Sequence, residues 1–267
     1  MTRLPFTKME GAGNDYVFLD AIRTPVRMQL APALARRWSD RHFGIGADGL
    51  VILSRGASAP VRMSMLNADG SRGAMCGNGL RCVARLAFEH GHATARCFDV
   101  ETDAGVRAVE ILTTTDQVRA SMGAVRCDQP ARLDVAGRSL VVVPGDAGNP
   151  HAVVFVDDVD RADVAGIGAA FQAHVRFPDG VNVEFVQVLA PDLLQQRTFE
   201  RGSGETMACG TGASVAVQAA RQLGHIRGDP VVVRLRGGEL RIHGSGSSLA
   251  IEGPARTVFR GEIDLPE

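Results

Sequence analysis

Lysine is almost missing from this chain of 267 residues: Lys8 is the only one, although arginine is abundant. Pyridoxal-phosphate chemistry needs a lysine amine for its Schiff base. Lys8 has no phosphate-cradling loop beside it, so a cofactor-free chemistry is expected. Trp38 and Tyr16 are each the sole residue of their kind, which leaves no aromatic platform for stacking bases. The formal net charge is −1, so no basic surface for nucleic acid is expected. No apolar run approaches membrane-spanning length, and Met1 to Phe6 lacks the apolar stretch of a secretion signal; a cytoplasmic protein without a membrane partner is expected. Cys-x-x-Cys is absent. The cysteines, Cys76, Cys82, Cys97, Cys127 and Cys209, are odd in number and scattered, a poor basis for a disulfide framework or a structural zinc site. No metal is expected, and Cys82, Cys97 and Cys127 read as small buried hydrophobes.

What is present is ordinary for a globular protein, with 45% hydrophobic and 22% charged residues, enough for one large domain or two. One phrase occurs twice. Met75-Cys76-Gly77-Asn78-Gly79 and Ala208-Cys209-Gly210-Thr211-Gly212 each precede an apolar pattern of helical period, Leu80, Val83, Ala84, Ala87 and then Ala213, Ala216, Val217, Ala220. Cys209 lies 133 residues beyond Cys76, and Gly224-His225 lies 133 beyond Gly91-His92. Gly148-Asn149 follows Gly13-Asn14 by 135, Arg176 follows Arg41 by 135, and the strand at Val186 follows that at Val51 by 135. The turn glycine Gly238 matches Gly105. Matching features in order at nearly constant offset mark an internal duplication.

The fold expected is α+β (α/β): two pseudo-symmetric domains of one topology, each a mixed, mostly antiparallel sheet around a central helix. The first domain covers 1–122, completed by a strand from 256–267, and the second covers 123–255. The active site is expected in the interdomain cleft, where ligands favour binding.

A cysteine at a helix start has a lowered thiol pKa, and the N–H groups that follow it suit an anion. The backbone of Gly77-Asn78 and Gly210-Thr211 would hold a carboxylate. One thiolate would take the adjacent α-proton and the opposite thiol would return one to the other face. That is a two-base racemase or epimerase. Polar residues in equivalent loops, Asn14, Asn67, Asn149, Asn182, Glu200 and Arg201, fit a small polar substrate, with Arg201 able to grip a second carboxylate. His151 could orient a thiol or serve a turn. Two other readings stay open at this point: a pair of cysteines that merely pack against the central helices, and a binding module with a redox-sensitive cysteine pair.

The stretches Lys8–Asp15, Arg41–Asp48, Asn67–Ser71, Met75–Cys82, Gly148–His151 and Glu200–Gly212 together resemble the diaminopimelate epimerase family over essentially the whole chain. The resemblance implies a cofactor-independent isomerase interconverting LL- and meso-diaminopimelate in lysine and peptidoglycan-precursor synthesis. It implies Cys76 and Cys209 as the acid/base pair. Asn67, Asn149, Asn182, Glu200 and Arg201 match residues on the substrate's distal end, and Gly77, Asn78, Gly210 and Thr211 match those on the reacting carboxylate. Asn14 matches a further substrate contact, and His151 and Glu200 match residues that assist the thiols. It further implies a cytoplasmic homodimer. The proline and hydroxyproline racemases resemble the same duplicated fold and are the rival within enzymes. Three departures stand out: Gly49 where some members carry glutamine, Arg72-Gly73-Ala74 in place of a more acidic stretch, and Tyr16 in place of the usual phenylalanine.

Overall fold

The computed structural model describes residues 3–73 and 75–265. The chain divides into two compact units, Met1–Ala120 with Gly253–Glu267, and Ser121–Glu252. In the first unit the order is β1 (Arg3–Gly11), β2 (Asn14–Asp20), α1 (Ala31–Ser39), β3 (Gly49–Arg55), β4 (Val61–Asn67), β5 (Arg72–Gly73), α2 (Gly77–Glu89), β6 (Cys97–Thr102), β7 (Gly105–Leu112) and the start of β8 (Gln117–Gly123), whose residues from Ser121 onward belong to the second unit. The second unit holds β9 (Arg126–Cys127), β10 (Ala131–Val135), β11 (Arg138–Asp146), β12 (Pro150–Phe155), α3 (Val164–Phe171), β13 (Asn182–Ala190), β14 (Leu193–Glu200), β15 (Gly204–Thr206), α4 (Gly210–Gln222), β16 (Val231–Leu235), β17 (Gly238–His243) and β18 (Leu249–Gly253). The last strand, β19 (Arg256–Asp264), pairs antiparallel with β1 and so belongs to the first unit.

The strand pairings repeat as the offsets do. β2 runs parallel to β3, β3 antiparallel to β4, β4 parallel to β6, and β6 antiparallel to β7. The second unit gives the same series from β12 through β13, β14 and β16 to β17. Each sheet is thus mixed and mostly antiparallel, with two helices.

Period-two alternation decides which helix each strand residue meets. On β2, Tyr16 and Phe18 pack with Leu80, Val83, Ala84 and Ala87 of α2. The intervening Val17 and Leu19 pack with Leu34, Ala35 and Trp38 of α1. On β3, Val51 and Leu53 take the α2 side, and Leu50 and Ile52 the α1 side. The four-residue sets that give the helical period in α2 and α4 are all fully buried. Burial continues around α2 to Cys82, Leu86 and even Arg81.

The hairpin between β1 and β2 turns on Ala12 and Gly13, both at positive φ (58° and 82°), the pair of left-handed residues a tight two-residue hairpin requires. Lys8, the lone lysine, is buried in β1 and ion-paired to Asp15 at 2.5 Å.

One expectation needs correction, that Cys97 and Cys127 are buried. Cys97 is exposed and Cys127 half-buried. Cys97 opens β6, whose first three residues lie at the surface before the strand enters the core. Arg41 and Arg176 occupy matching sequence positions without matching roles: Arg41 bridges Asp15 and Asp48 at 2.8 and 2.9 Å, whereas Arg176 faces Asp128 at 3.6 Å. Gly49 pairs with Tyr16 on one side and Asn67 on the other. A Cβ at Gly49 would lie 2.2 Å from the Leu66 carbonyl oxygen and 3.1 Å from the Tyr16 ring, so this backbone path has no room for a side chain there.

The duplication has diverged at one further place. His90 Nδ1 and His92 Nε2 each lie 2.7 Å from Asp20 Oδ2, and the Arg23 guanidinium approaches the same oxygen at 3.7 Å. The three ligand-type atoms fall within 4.8 Å of one another, but the carboxylate is already surrounded by donors. This clasp fastens the end of β2 to the end of α2. At the equivalent positions of the second unit, Phe155 and His225 stack edge to face, with ring centroids 5.0 Å apart.

Candidate active site

Both phrase cysteines stand immediately before 13-residue helices, α2 and α4, as their capping residues. Each has extended backbone, φ −132° and ψ 121° at Cys76, φ −120° and ψ 108° at Cys209. Each carbonyl accepts the first helical bond, from Leu80 N at 2.8 Å and from Ala213 N at 2.9 Å. Gly77-Asn78-Gly79 and Gly210-Thr211-Gly212 form the first turn of each helix, a position whose N–H groups in helices generally suit an anion; Gly212 N here donates to Cys209 Sγ.

The two sulfurs have different neighbours. Cys76 Sγ donates to Asn14 Oδ1 at 3.3 Å, and the Tyr16 hydroxyl donates to Cys76 Sγ at 3.6 Å. Asn14 Oδ1 also accepts from Asn78 Nδ2 at 3.2 Å, while its own amide donates to Asp48 Oδ2 at 2.6 Å. Asn78 Oδ1 accepts from the fully buried Arg81 at 2.8 Å. Asn67, at the end of β4, donates to the Ser71 hydroxyl at 2.9 Å within the β4–β5 hairpin. Of the departure at 72–74, Arg72 and Gly73 form β5, and Ala74 lies outside the described residues.

Cys209 is buried and accepts from Gly212 N at 3.4 Å, with the Thr211 hydroxyl also at 3.4 Å. Burial first, and then the charges of Glu200 and Glu184, push the Cys209 thiol well up, against the opposing effect of Thr211 and Gly212. Glu200 accepts from the Thr206 hydroxyl at 2.6 Å. Asn182 Oδ1 accepts from the Arg201 backbone N–H at 2.9 Å, and the exposed Arg201 side chain donates to the Asp179 carbonyl at 3.1 Å. His151 is wholly buried, with Nδ1 2.8 Å from Glu184 Oε1 and Nε2 3.0 Å from Asn149 Oδ1.

The structure therefore groups Asn14, Cys76 and Asn78 in the first unit. It links Asn149 to His151, and Asn182 to Arg201, in the second. Glu200 and Thr211 lie near Cys209. Sequence reasoning missed Tyr16 and Glu184 as neighbours of the thiols, and Arg81 and Asp48 as the ends of the amide chain. Two of these carried a signal. Glu184 is a charge inside the apolar run of β13, and Arg81 interrupts an otherwise buried helix. Such residues persist in a core only when paired.

A family model described as diaminopimelate epimerase matches residues 6–127 and 145–258. The chain belongs to the diaminopimelate epimerase family. A diaminopimelate epimerase of Geobacillus thermodenitrificans is 41% identical, covering 96% of this chain and 95% of the relative. One from Aromatoleum aromaticum is 44% identical, covering 98% and 99%. Among solved structures, a phenazine biosynthesis protein of the PhzF family from Bacillus anthracis superposes with a TM-score of 0.80 at 15% identity, covering 99% of this chain and 100% of that one. A probable proline racemase from Agrobacterium radiobacter gives 0.75 at 18% identity, covering 98% and 93%. These two likenesses are of fold, and they agree with the duplicated α+β architecture of this epimerase-family chain.

Proposed function

We propose that this chain is a cofactor-independent epimerase that interconverts LL- and meso-diaminopimelate, with Cys76 and Cys209 as its two proton-transfer groups. The observation that carries the reading is the matched placement of the two cysteines. In a chain of this family, each of two equivalent units sets one cysteine as the capping residue of its buried helix. One thiolate removes the α-proton while the other thiol protonates the opposite face, and reversal exchanges the roles. The helix starts at Gly77-Asn78 and Gly210-Thr211 bind the carboxylate beside the reacting carbon and stabilise the charge that builds there. Asn67, Asn149, Asn182, Glu200 and Arg201 bind the distal amino-acid end, and Asn14 and His151 orient the groups around the thiols. Burial chiefly holds the Cys209 thiol up, and with substrate bound an ammonium group beside Glu200 would offset only the charge that adds to it.

The reading extends to a cytoplasmic homodimer in lysine and peptidoglycan-precursor synthesis. Among the described residues no helix is long and apolar enough to cross a membrane.

The test is isotope exchange. The reduced protein is incubated with LL-diaminopimelate in deuterated water without added cofactor, with proline as control substrate. Deuterium at one α-carbon and formation of the meso isomer are expected, with no exchange into proline. Exchange into proline alone, or none at all, would overturn the reading. Cys76→Ala and Cys209→Ala should each abolish turnover in folded protein, and full activity in either would break the pairing.

A further inference from the structure

The hydrogen bonds around Cys76 have a fixed direction. Arg81 can only donate, so the Asn78 oxygen faces Arg81 and the Asn78 amide faces Asn14. Asn14 must then present its oxygen to Asn78 and its amide to Asp48, whose carboxylate also accepts from the Asp15 N–H at 3.0 Å and from Arg41. The same Asn14 oxygen faces Cys76 Sγ. An oxygen with no proton to give makes the sulfur a donor, which is a thiol. A thiolate at this place would face the lone pairs of Asn14. It would meet a donor in the Tyr16 hydroxyl, on the strand beside Asn14.

We propose that Tyr16 is a positioning residue for proton transfer at Cys76: its hydroxyl holds the sulfur against Asn14 in the thiol form and donates to it in the thiolate form. The Arg81–Asn78–Asn14–Asp48 chain fixes the thiol as the resting form, and Tyr16 makes the thiolate reachable. The second unit repeats the juxtaposition of a ring and the asparagine. His151 lies 135 residues beyond Tyr16, as Asn149 lies 135 beyond Asn14. The second unit thus also places a hydrogen-bonding ring next to that asparagine, 3.0 Å from it. Packing holds the Tyr16 ring in place: it stacks edge to face on Phe18 at 6.4 Å, and its Cε1 and Cε2 lie 3.1 and 3.9 Å from where Cβ atoms would stand on Gly49 and Gly79. Burial, and then the charge of a Cys76 thiolate, hold the Tyr16 hydroxyl well above its ordinary range, so it remains a donor throughout the working pH range. Arg81 and Cys82 interact electrostatically with Cys76, Glu10 with both of them, Arg85 with Cys82 and Asp48 with Tyr16, while Asp15 is held by Lys8 and Arg41.

The proposal rests on Cys76 exchanging a proton with substrate, yet its test reads the sulfur without turnover. The rate of iodoacetamide modification at Cys76 is followed against pH by peptide mass, with the exposed Cys97 of the same molecule as internal reference. Tyr16→Phe keeps the ring and removes the donor. The Cys76 midpoint should rise by roughly one pH unit, the scale of a hydrogen bond to a charged group, while Cys97 stays put. Because Tyr16 is the only tyrosine, growth on 3-fluorotyrosine substitutes this one position with a more acidic phenol. That should move the Cys76 midpoint the opposite way, and the fluorine resonance should shift over the same pH range. If neither replacement moves the Cys76 midpoint, or both move it the same way, the proposal is wrong. If the midpoints move as stated but no deuterium enters diaminopimelate, the fault lies with the substrate reading.

Discussion

Gly212 gives a sharp test of how the second unit is packed. It lies in the first turn of α4 with ordinary helical backbone, so conformation alone would favour alanine there by about 1 kcal/mol. A Cβ at Gly212 would sit 2.4 Å from Glu184 Oε1 and 3.0 Å from its Cδ and Cγ. Glu184 is wholly buried and its Oε1 is the oxygen that holds His151 Nδ1. Moving it aside loses that bond, worth about 1.5–3 kcal/mol when one partner is charged. Overpacking of the surrounding core adds about 1–3 kcal/mol. Set against the helix gain, Gly212→Ala should lose about 1.5–5 kcal/mol. At about 2–4 °C per kcal/mol for a chain of this size, the melting temperature should fall by roughly 3–20 °C. Calorimetry checks this, and Glu184→Ala isolates the cause. In that background the extra methyl meets no carboxylate, so Gly212→Ala should be neutral or raise the melting temperature slightly, a large coupling between neighbouring sites. A melting temperature unchanged by Gly212→Ala alone, or an equal drop in both backgrounds, would refute the packing argument.

Two further outcomes follow from titratable groups. Burial pushes the Asp20 carboxyl up, but the hydrogen bonds from His92, His90 and the Arg23 backbone outweigh it and leave the group below its usual range. A carboxyl lowered on folding contributes stability above its unfolded value and loses it as pH falls through the folded value. Asp20→Asn should therefore melt below wild type at pH 7, with the gap closing below roughly pH 4; a gap constant down to pH 2 would contradict this. Burial also pushes the Cys82 thiol up to about 12 and the Cys127 thiol up to about 11. At pH 8 iodoacetamide should modify the exposed Cys97 in the native protein and leave Cys82 untouched, with all five thiols reacting in denaturant. Prompt native modification of Cys82 would show that its site is open.

The amide chain also changes how Asn14 is understood. Family resemblance presents it as a substrate contact. In the structure its oxygen already serves Cys76 and Asn78, and its amide serves Asp48. On the reading proposed above, those bonds would orient the sulfur.

The sequence by itself carried the duplication, because two copies of one fold must repeat their turns and apolar periods in order. It carried the helix starts at Cys76 and Cys209, because glycines followed by a 3.6-residue apolar period leave little else for the chain to do. It also carried the strand pattern, since Tyr16, Val17, Phe18 and Leu19 serve two helices by alternation. Tertiary structure decided which polar atoms meet. Asn14 and Cys76 are 62 residues apart, Tyr16 and Cys76 are 60, and His151 and Glu184 are 33. Nothing local records such partners, because pairing across strands is set by register and not by neighbouring residues. The exposure of Cys97 and the lack of space at Gly49 are likewise properties of strand ends and cross-strand approach. The repeat supplied two equivalent cysteines, and only the packed surroundings made them unequal, one against Asn14 and Tyr16 and the other beside Glu184 and Glu200.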